Sequence, residues 1–294
     1  MNIVLIGTVK FSLEMFSVLV ESGENIIGVV TGKNNKINSD YADLSSTCQK
    51  YGIPCFITDD VNSTDVIKWI SDLSPDIIFC FGWSKLIKKE LLNITTMGVI
   101  GYHPAALPKN RGRHPLIWAL VLGLKKTASS FFIMDERADS GDVISQEEII
   151  INDDDDASSL YAKMICIAKK QLLTLVLTLK EKSFIRQPQD HSKANIWRKR
   201  GMVDGIIDWR MSATAINNLV RGLTKPYIGA EFSYNGNQYK VWKSRMLDDT
   251  GYENTEPGKV VQVKNKTVVV KCAEGTIELL SIDPQLVISE GEYL

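Results

Sequence analysis

MNIVLIGTVKFSLEMFSVLVESGENIIGVV, residues 1–30, decides the fold. Ile3–Ile6 and Ile26–Val30 are short, unbroken runs of Val, Ile and Leu. Such runs mark strands buried on both faces, whereas a half-exposed strand alternates. Between them Ser12–Glu21 carries apolar residues at helical spacing. Strand, helix and strand within thirty residues make a βαβ unit, whose parallel strands need a crossover.

The pattern recurs downstream. Pro54–Ile57, Ile77–Phe81 and Val99–Tyr102 read as strands, Tyr41–Tyr51 and Ser63–Leu73 as helices. This alternation predicts an α/β fold, a mostly parallel sheet covered on both faces. Ligands in such sheets bind outside the carboxyl ends of the strands. That directs attention to the loops after Ile6, Phe81 and Tyr102. The first of them, Gly7-Thr8-Val9-Lys10-Phe11-Ser12, lacks G-x-G-x-x-G and so lacks the dinucleotide fingerprint. No P-loop, G-x-S-x-G elbow or H-E-x-x-H is present.

Further along, His114–Leu122 reads as a short helix, Ser129–Met134 and Val143–Ile151 as strands, and Ala157–Lys182 as a long helix. The four acids Asp153–Asp156 admit two readings, a metal site or a helix start that favours the dipole; first-turn preference favours the second. After Gln187 the chain turns polar, through Gln189–Asn195 and the basic Arg198-Lys199-Arg200, and reads as a linker. Beyond it, helix Ala213–Leu223 precedes short strands at Glu231–Tyr234, Gln238–Lys243, Val260–Val263, Thr267–Cys272 and Thr276–Ser281. Asn235-Gly236 between the first two is a hairpin signal. Closely spaced antiparallel strands predict a small OB-like β-barrel. The expected division is a catalytic domain over 1–190, a linker over 191–204 and a second domain over 205–294.

Composition sets outer bounds. The 294 residues are 44% apolar and 23% charged, with a net charge of −1. That argues against a protein built chiefly to coat nucleic acid or an anionic membrane. The five cysteines are scattered, without zinc-knuckle or redox spacing, which predicts a reducing compartment. The N-terminus opens directly on a strand rather than a signal sequence, and no apolar run reaches spanning length, so a cytoplasmic location is expected.

Of the three histidines, His103 stands out. It follows a buried strand at its carboxyl edge and precedes Pro104-Ala105-Ala106-Leu107-Pro108, where two prolines stiffen the loop. Arg111-Gly112-Arg113 follows. A second polar loop, Met134–Asp142, links two apolar strands. On its own it reads equally as a solvated turn, for which Asp and Gly are standard. The histidine spacing does not suggest a metal site.

Together these residues resemble a known family. GYHPAALPKNRGRHPLIWAL (101–120), followed by MDERADSGDVISQ (134–146), is similar to the folate-dependent formyltransferases. That group includes enzymes acting on methionyl-tRNA, on glycinamide ribonucleotide and on nucleotide-linked amino sugars. The ordered His-Pro-x-x-Leu-Pro, Arg-Gly and Ala-Asp-x-Gly elements carry the resemblance over Met1–Gln187. DGIIDWRMSATAINNLVRGLTKPYIGAEF and YKVWKSRML extend it into the second domain.

The resemblance implies a Rossmann-like formyltransferase domain with 10-formyltetrahydrofolate as co-substrate and no metal. It implies that His103 takes a proton from the attacking amine and that Asp139 orients the ring and favours imidazolium. The folate is expected along Lys85-Leu86-Ile87 and along Asp135, Glu136, Arg137, Ala138 and Asp139, with Arg113 nearby. Lys85 taken alone reads equally as a surface lysine, while the Arg113 guanidinium suits a carboxylate or phosphate. One position departs from the family pattern. An asparagine normally stands two residues before the histidine and stabilises the oxyanion; here Gly101 stands there. Loss of such a donor reduces rates by roughly 100–1,000-fold, so another donor, a water or the imidazolium itself is expected to substitute.

The charge pattern separates the amine classes. A tRNA enzyme needs a broad phosphate-facing surface. From Gly205 on, ten lysines and arginines stand against eleven aspartates and glutamates, and the loop Thr31–Asp40 carries only Lys33 and Lys36. Arg-Gly-Arg-x-Pro also looks more like the sugar enzymes. The expected amine is therefore that of a nucleotide-linked amino-deoxy sugar, specifically a 4-amino sugar of the kind used in surface polysaccharides. Arg221, Lys225 and Tyr227 are candidates for the second domain's contribution. A methionyl-tRNA substrate, and a non-catalytic folate or nucleotide sensor, are the alternatives. A homodimer through the small domain is a further expectation.

Overall fold

The computed structural model describes residues 1–33, 40–247, 251–265 and 267–294. Lys36, Asp248, Asp249 and Lys266, counted above among the charges, lie outside the described residues. The chain forms two compact units: Met1–Pro115, Thr127–Ile149 and Ala162–Trp197 make the first, and Leu116–Lys126, Ile150–Tyr161 and Arg198–Leu294 the second.

In chain order the elements to the end of the first half are β1 (Asn2–Gly7), α1 (Lys10–Glu21), β2 (Asn25–Thr31), α2 (Ser45–Tyr51), β3 (Cys55–Ile57), α3 (Thr64–Leu73), β4 (Ile77–Phe81), α4 (Lys89–Leu92), β5 (Val99–His103), β6 (Arg111–Gly112), α5 (Pro115–Val121), β7 (Lys126–Ile133), β8 (Val143–Ile150) and α6 (Ala157–Lys180). Seven strands form one sheet in the order β3-β2-β1-β4-β5-β7-β8. β1 pairs in parallel with β2 and β4, and β4 with β5, while β5 pairs antiparallel with β7. The mostly parallel sheet that the apolar runs predict is present.

The central strands β1 and β4 are buried on both faces, which is why they tolerate unbroken apolar sequence. Val4, Ile6, Ile78 and Cys80 cluster with Val66 and Ile70 of α3. Pleating turns Ile3, Leu5, Phe79 and Phe81 the other way, and all four are fully buried. There Phe11 meets Phe81 edge-on at 5.9 Å and stacks on Tyr102 at 4.0 Å. Ser12 is buried where α1 begins; its hydroxyl accepts from the Thr8 and Val9 amides and donates to the Phe81 carbonyl at 2.5 Å. One side chain thus ties the carboxyl ends of β1 and β4 together. α2 starts at Ser45, not Tyr41, because Tyr41 bridges to Val9.

Of the acids at 153–156, Asp155 and Asp156 bond around the start of α6, while Asp153 pairs with Lys125. Asp156 Oδ1 accepts from the Ser159 amide at 2.9 Å, and buried Asp155 accepts from the Asn152 amide at 2.7 Å. Among the described residues no group of His, Cys, Asp and Glu is arranged to hold a metal ion. No described helix is long and apolar enough to cross a membrane.

The later elements are β9 (Ile196–Trp197), α7 (Ala213–Leu223), β10 (Ala230–Tyr234), β11 (Asn237–Leu247), β12 (Val260–Lys264), β13 (Thr267–Lys271) and β14 (Thr276–Asp283). Five strands form an antiparallel sheet in the order β10-β11-β14-β13-β12. No ladder among the described residues joins its two edges, as in a partly open barrel. α7 is capped by Ser212, whose hydroxyl accepts from the Ala215 amide at 3.1 Å. It buries Ile216, Leu219, Val220 and Leu223 in the core with Phe232, Val241, Val270 and Ile277.

Candidate active site

His103 is the last residue of β5, where the sheet's carboxyl edge meets the loop that carries its partners. The imidazole is 4% exposed. Its Nε2 lies 2.7 Å from the Asn110 carbonyl oxygen. A carbonyl only accepts, so Nε2 carries a proton. Nδ1 faces Asp139 Oδ2 at 3.6 Å. That gap is longer than a hydrogen bond and short enough for a charge on the ring to be felt.

The loop after His103 is laced to the sheet. Ser130 Oγ donates to the Ala105 carbonyl at 2.6 Å, and Gln146 Nε2 to the Leu107 carbonyl at 3.1 Å. Asn110 then turns through φ +63 and aims its carbonyl back at the imidazole. Its own amide donates to Asn195 Oδ1 at 2.8 Å. β6 follows and pairs in parallel with β9. Gly112, at φ +101, has no room for a side chain, since a Cβ would sit 2.4 Å from the Trp197 carbonyl oxygen. Its amide donates to Asp139 Oδ2 at 2.9 Å.

Asp139 has φ +54, uncommon for aspartate. Its loop is shaped by Asp135, whose Oδ1 accepts from the Arg137 amide at 2.9 Å and from Ser140 Oγ at 2.5 Å. Behind it Gln189 Nε2 donates to the carbonyls of Asp139 at 3.0 Å and Gly141 at 2.6 Å. Gln189 Oε1 accepts from Arg111 Nη2 at 2.6 Å, and Arg111 Nη2 also lies 3.0 Å from His191 Nδ1. Burial draws the Arg111 guanidinium down from the ordinary arginine pKa, opposed by the charges of Asp135 and Asp139.

Gly101 is enclosed as well. A Cβ there would come within 2.8 Å of Phe132 Cζ and 2.9 Å of Met134 Cγ. Two apolar side chains fill the space an asparagine would need.

Three of the remaining candidates line two clefts. Asp135 and Glu136 line one of ≈ 330 Å³ with Lys89, Leu92, Met134 and Arg186. Lys85 lines another of ≈ 280 Å³ with Thr8, Lys33, Tyr41, Asp59 and Trp83, at the carboxyl ends of β1–β4. There its ammonium donates to the Asp59 carbonyl, and the Trp83 indole N–H is buried with no partner among the described residues. Arg113 Nη1 reaches the Ser84 carbonyl at 2.7 Å on that cleft's rim. Leu86 is exposed and Ile87 is buried in the core beside Val66 and Ile78. Arg137 and Ala138 are exposed on the Asp139 loop.

In the second unit Arg221 is held by the carbonyls of Asn152 and Asp155 and by Asn218. Lys225 lies over the Trp242 ring, and Tyr227 packs on the core. These contacts belong to the unit's own fold.

Asn110, Arg111, Gln189 and Asn195 were not singled out by sequence as site residues. Arg111 stands in the Arg-Gly element beside Arg113, a signal that could have found it. Gln189 and Asn195 sit in a polar stretch whose composition signals a linker and nothing else.

Residues 1–177 match the family model described as formyl transferase, and residues 202–286 that described as formyl transferase, C-terminal domain. Among solved structures, a HypX variant from Aquifex aeolicus is similar at 16% identity and TM-score 0.69, covering 96% of this chain and 45% of that one. The chain thus spans under half the length of HypX. WlaRD, a sugar 3N-formyl transferase crystallised with dTDP and 5-N-formyl-THF, is similar at 17% identity and TM-score 0.71, over 97% of this chain and 99% of that one. An N-formyltransferase from Helicobacter canadensis, in complex with folinic acid and dTDP-3-aminofucose, is similar at 16% identity and TM-score 0.68, over 94% and 98%. At such identities these likenesses speak for the fold.

Proposed function

The chain belongs to the formyl transferase family, and we propose that it transfers a formyl group from 10-formyltetrahydrofolate to the amine of a nucleotide-linked amino sugar, with His103 as acid/base. The carrying observation is the buried imidazole at the end of β5, with Nδ1 turned to Asp139 at 3.6 Å. Because Nε2 already donates to Asn110, the neutral ring has its lone pair on Nδ1. The amine attacks the formyl carbon, a tetrahedral intermediate forms, and the folate nitrogen leaves. The proton taken from the amine at Nδ1 makes an imidazolium facing the Asp139 carboxylate and is handed to the folate nitrogen as it leaves. With no side chain at position 101, that cation is the charge assigned to the developing oxyanion.

The cleft lined by Met134, Asp135 and Glu136 opens beside Thr95, Thr96 and Gly98, at the amino end of β5; its link to His103 is the loop that runs from it to Asp139. Met134 and Leu92 give it apolar walls, and Lys89 and Arg186 give it charges for carboxylates. The cleft at the carboxyl ends of β1–β4, with Thr8, Lys33 and Lys85 in its lining and Arg113 on its rim, is where the folate expectation for Lys85 and Arg113 points. The sugar reading is supported by the near-equal charge of residues 205–294 and by fold neighbours that carry dTDP or a dTDP-amino sugar.

A turnover assay tests the assignment. 10-Formyltetrahydrofolate is offered with a panel of nucleotide-linked 3- and 4-amino sugars and, separately, with charged initiator tRNA. Formylation of a sugar amine is the expected result. Formylation of the tRNA and of no sugar would overturn the substrate; folate binding without turnover of any amine would make the chain a sensor.

A further inference from the structure

We propose that Gln189, in the polar stretch after the sheet domain, is a positioning residue that holds the Asp139 carboxylate against His103. This rests on the reading of His103 as the acid/base. The carboxamide is 8% exposed and has all four of its hydrogen-bonding positions engaged. Oε1 accepts twice from Arg111, from Nε at 3.2 Å and Nη2 at 2.6 Å. Nε2 donates twice, to the carbonyls of Asp139 at 3.0 Å and Gly141 at 2.6 Å.

Those two carbonyls flank Ser140 and must converge on one amide, which fixes the turn between them. That turn keeps Asp139 at φ +54. In that conformation Oδ2 accepts from the Gly112 amide and faces His103 Nδ1. Arg111 fixes which end of the carboxamide points where: a guanidinium only donates, so it requires Oε1 on its side and leaves Nε2 for the loop. Arg111 is immobilised in turn, 7% exposed and adjacent to Gly112. The carboxylate's two constraints therefore come from neighbouring residues, through Gly112 directly and through Arg111 by way of Gln189. A side chain outside the His103 and Asp139 loops thereby sets the orientation between them.

The chemistry separates this role from space-filling. Glu in place of Gln keeps the volume and the acceptor for Arg111 but sets a carboxylate oxygen against two carbonyls. Gln189→Glu should therefore free the loop while leaving the Arg111 pairing in place. Gln189→Met keeps the volume and removes every bond.

Two measurements test the role. The first needs no substrate: the His103 ring is followed by NMR titration, its signal identified among the chain's three histidines with His103→Gln. Gln189→Met, which adds no charge, is expected to move that titration in the same direction as Asp139→Asn; a titration identical to that of the unmodified protein, or one moved the other way, would overturn the proposal. The second is a double-mutant cycle. Gln189→Glu should lower kcat about 10-fold with KM for the amine within about 2-fold, and should lower it no further in the Asp139→Asn background. Equal losses in both backgrounds would make Gln189 a structural residue unconnected to Asp139. If the unmodified protein formylates no amine, the functional reading fails, and the titration still decides the role of Gln189.

Discussion

Among the described residues, left-handed residues other than glycine occur at two helix ends, Ser74 and Lys182, and in two further settings whose contrast separates a turn from a site. In the antiparallel sheet they are Asn235, beside Gly236, and Asn265, at the two hairpin turns β10–β11 and β12–β13. Asparagine tolerates this conformation, and the turn is solved by the residue that makes it. At the carboxyl edge of the parallel sheet they are Asn110, His114 and Asp139. Asn110 and Asp139 are held from a distance. Asp139 is bonded to Gly112, 27 residues earlier, and to Gln189, 50 residues later; Asn110 is bonded to Asn195, 85 residues later. Strain at a hairpin reverses the chain. Strain fixed by distant contacts aims a functional group, here a carbonyl at Nε2 and a carboxylate at Nδ1.

Three substitutions probe that contrast, in descending order of effect. Asp139→Asn removes the charge facing His103 while keeping the shape, and kcat should fall by about 10²-fold with folate affinity within about 2-fold. Steady-state rates and folate titration check this; an unchanged kcat would leave Asp139 as a turn residue like Asn235. Gly101→Asn restores the carboxamide that the family places there, but its Cβ meets Phe132 and Met134. Stability should drop by about 1–3 kcal/mol from overpacking, with no gain in rate. Denaturant unfolding reads the first and turnover the second; a faster enzyme of unchanged stability would show that the space admits a donor after all. Asn235→Ala should reduce stability by about 1 kcal/mol and leave kcat unaltered, because its left-handed strain is met locally. A change in kcat there would blur the distinction between the two settings.

What the sequence disclosed follows the same division. The run from Asn2 to Thr31 is legible because a buried parallel strand and its crossover helix are written in adjacent residues. The Asn235-Gly236 turn is legible for the same reason. His103 can be placed at a strand's carboxyl edge from its neighbours alone. Asp139 looks like any acidic turn residue until it is set beside the family's motif. Gln189 cannot be found this way, since its role exists only through contacts to Arg111, Asp139 and Gly141. The pairing of β6 with β9 involves two residues on each strand, too few for periodicity to register. α4, of four residues, is hidden for the same reason. In Lys85-Leu86-Ile87, three consecutive residues go to a cleft, to solvent and to the core. Apolar character alone does not tell a ligand wall from a packed interior.

The proposed role of His103 is to move a proton during formyl transfer. A single-turnover experiment with 10-formyltetrahydrofolate and the amino-sugar nucleotide found in the panel, run on the unmodified protein and on His103→Ala, tests it most directly. Formyl product is followed by mass spectrometry and folate affinity is measured in parallel. The expected result is product with the unmodified protein and a loss of about 10²–10⁴-fold with His103→Ala, folate affinity being nearly the same in both. Near-normal turnover by His103→Ala would contradict it.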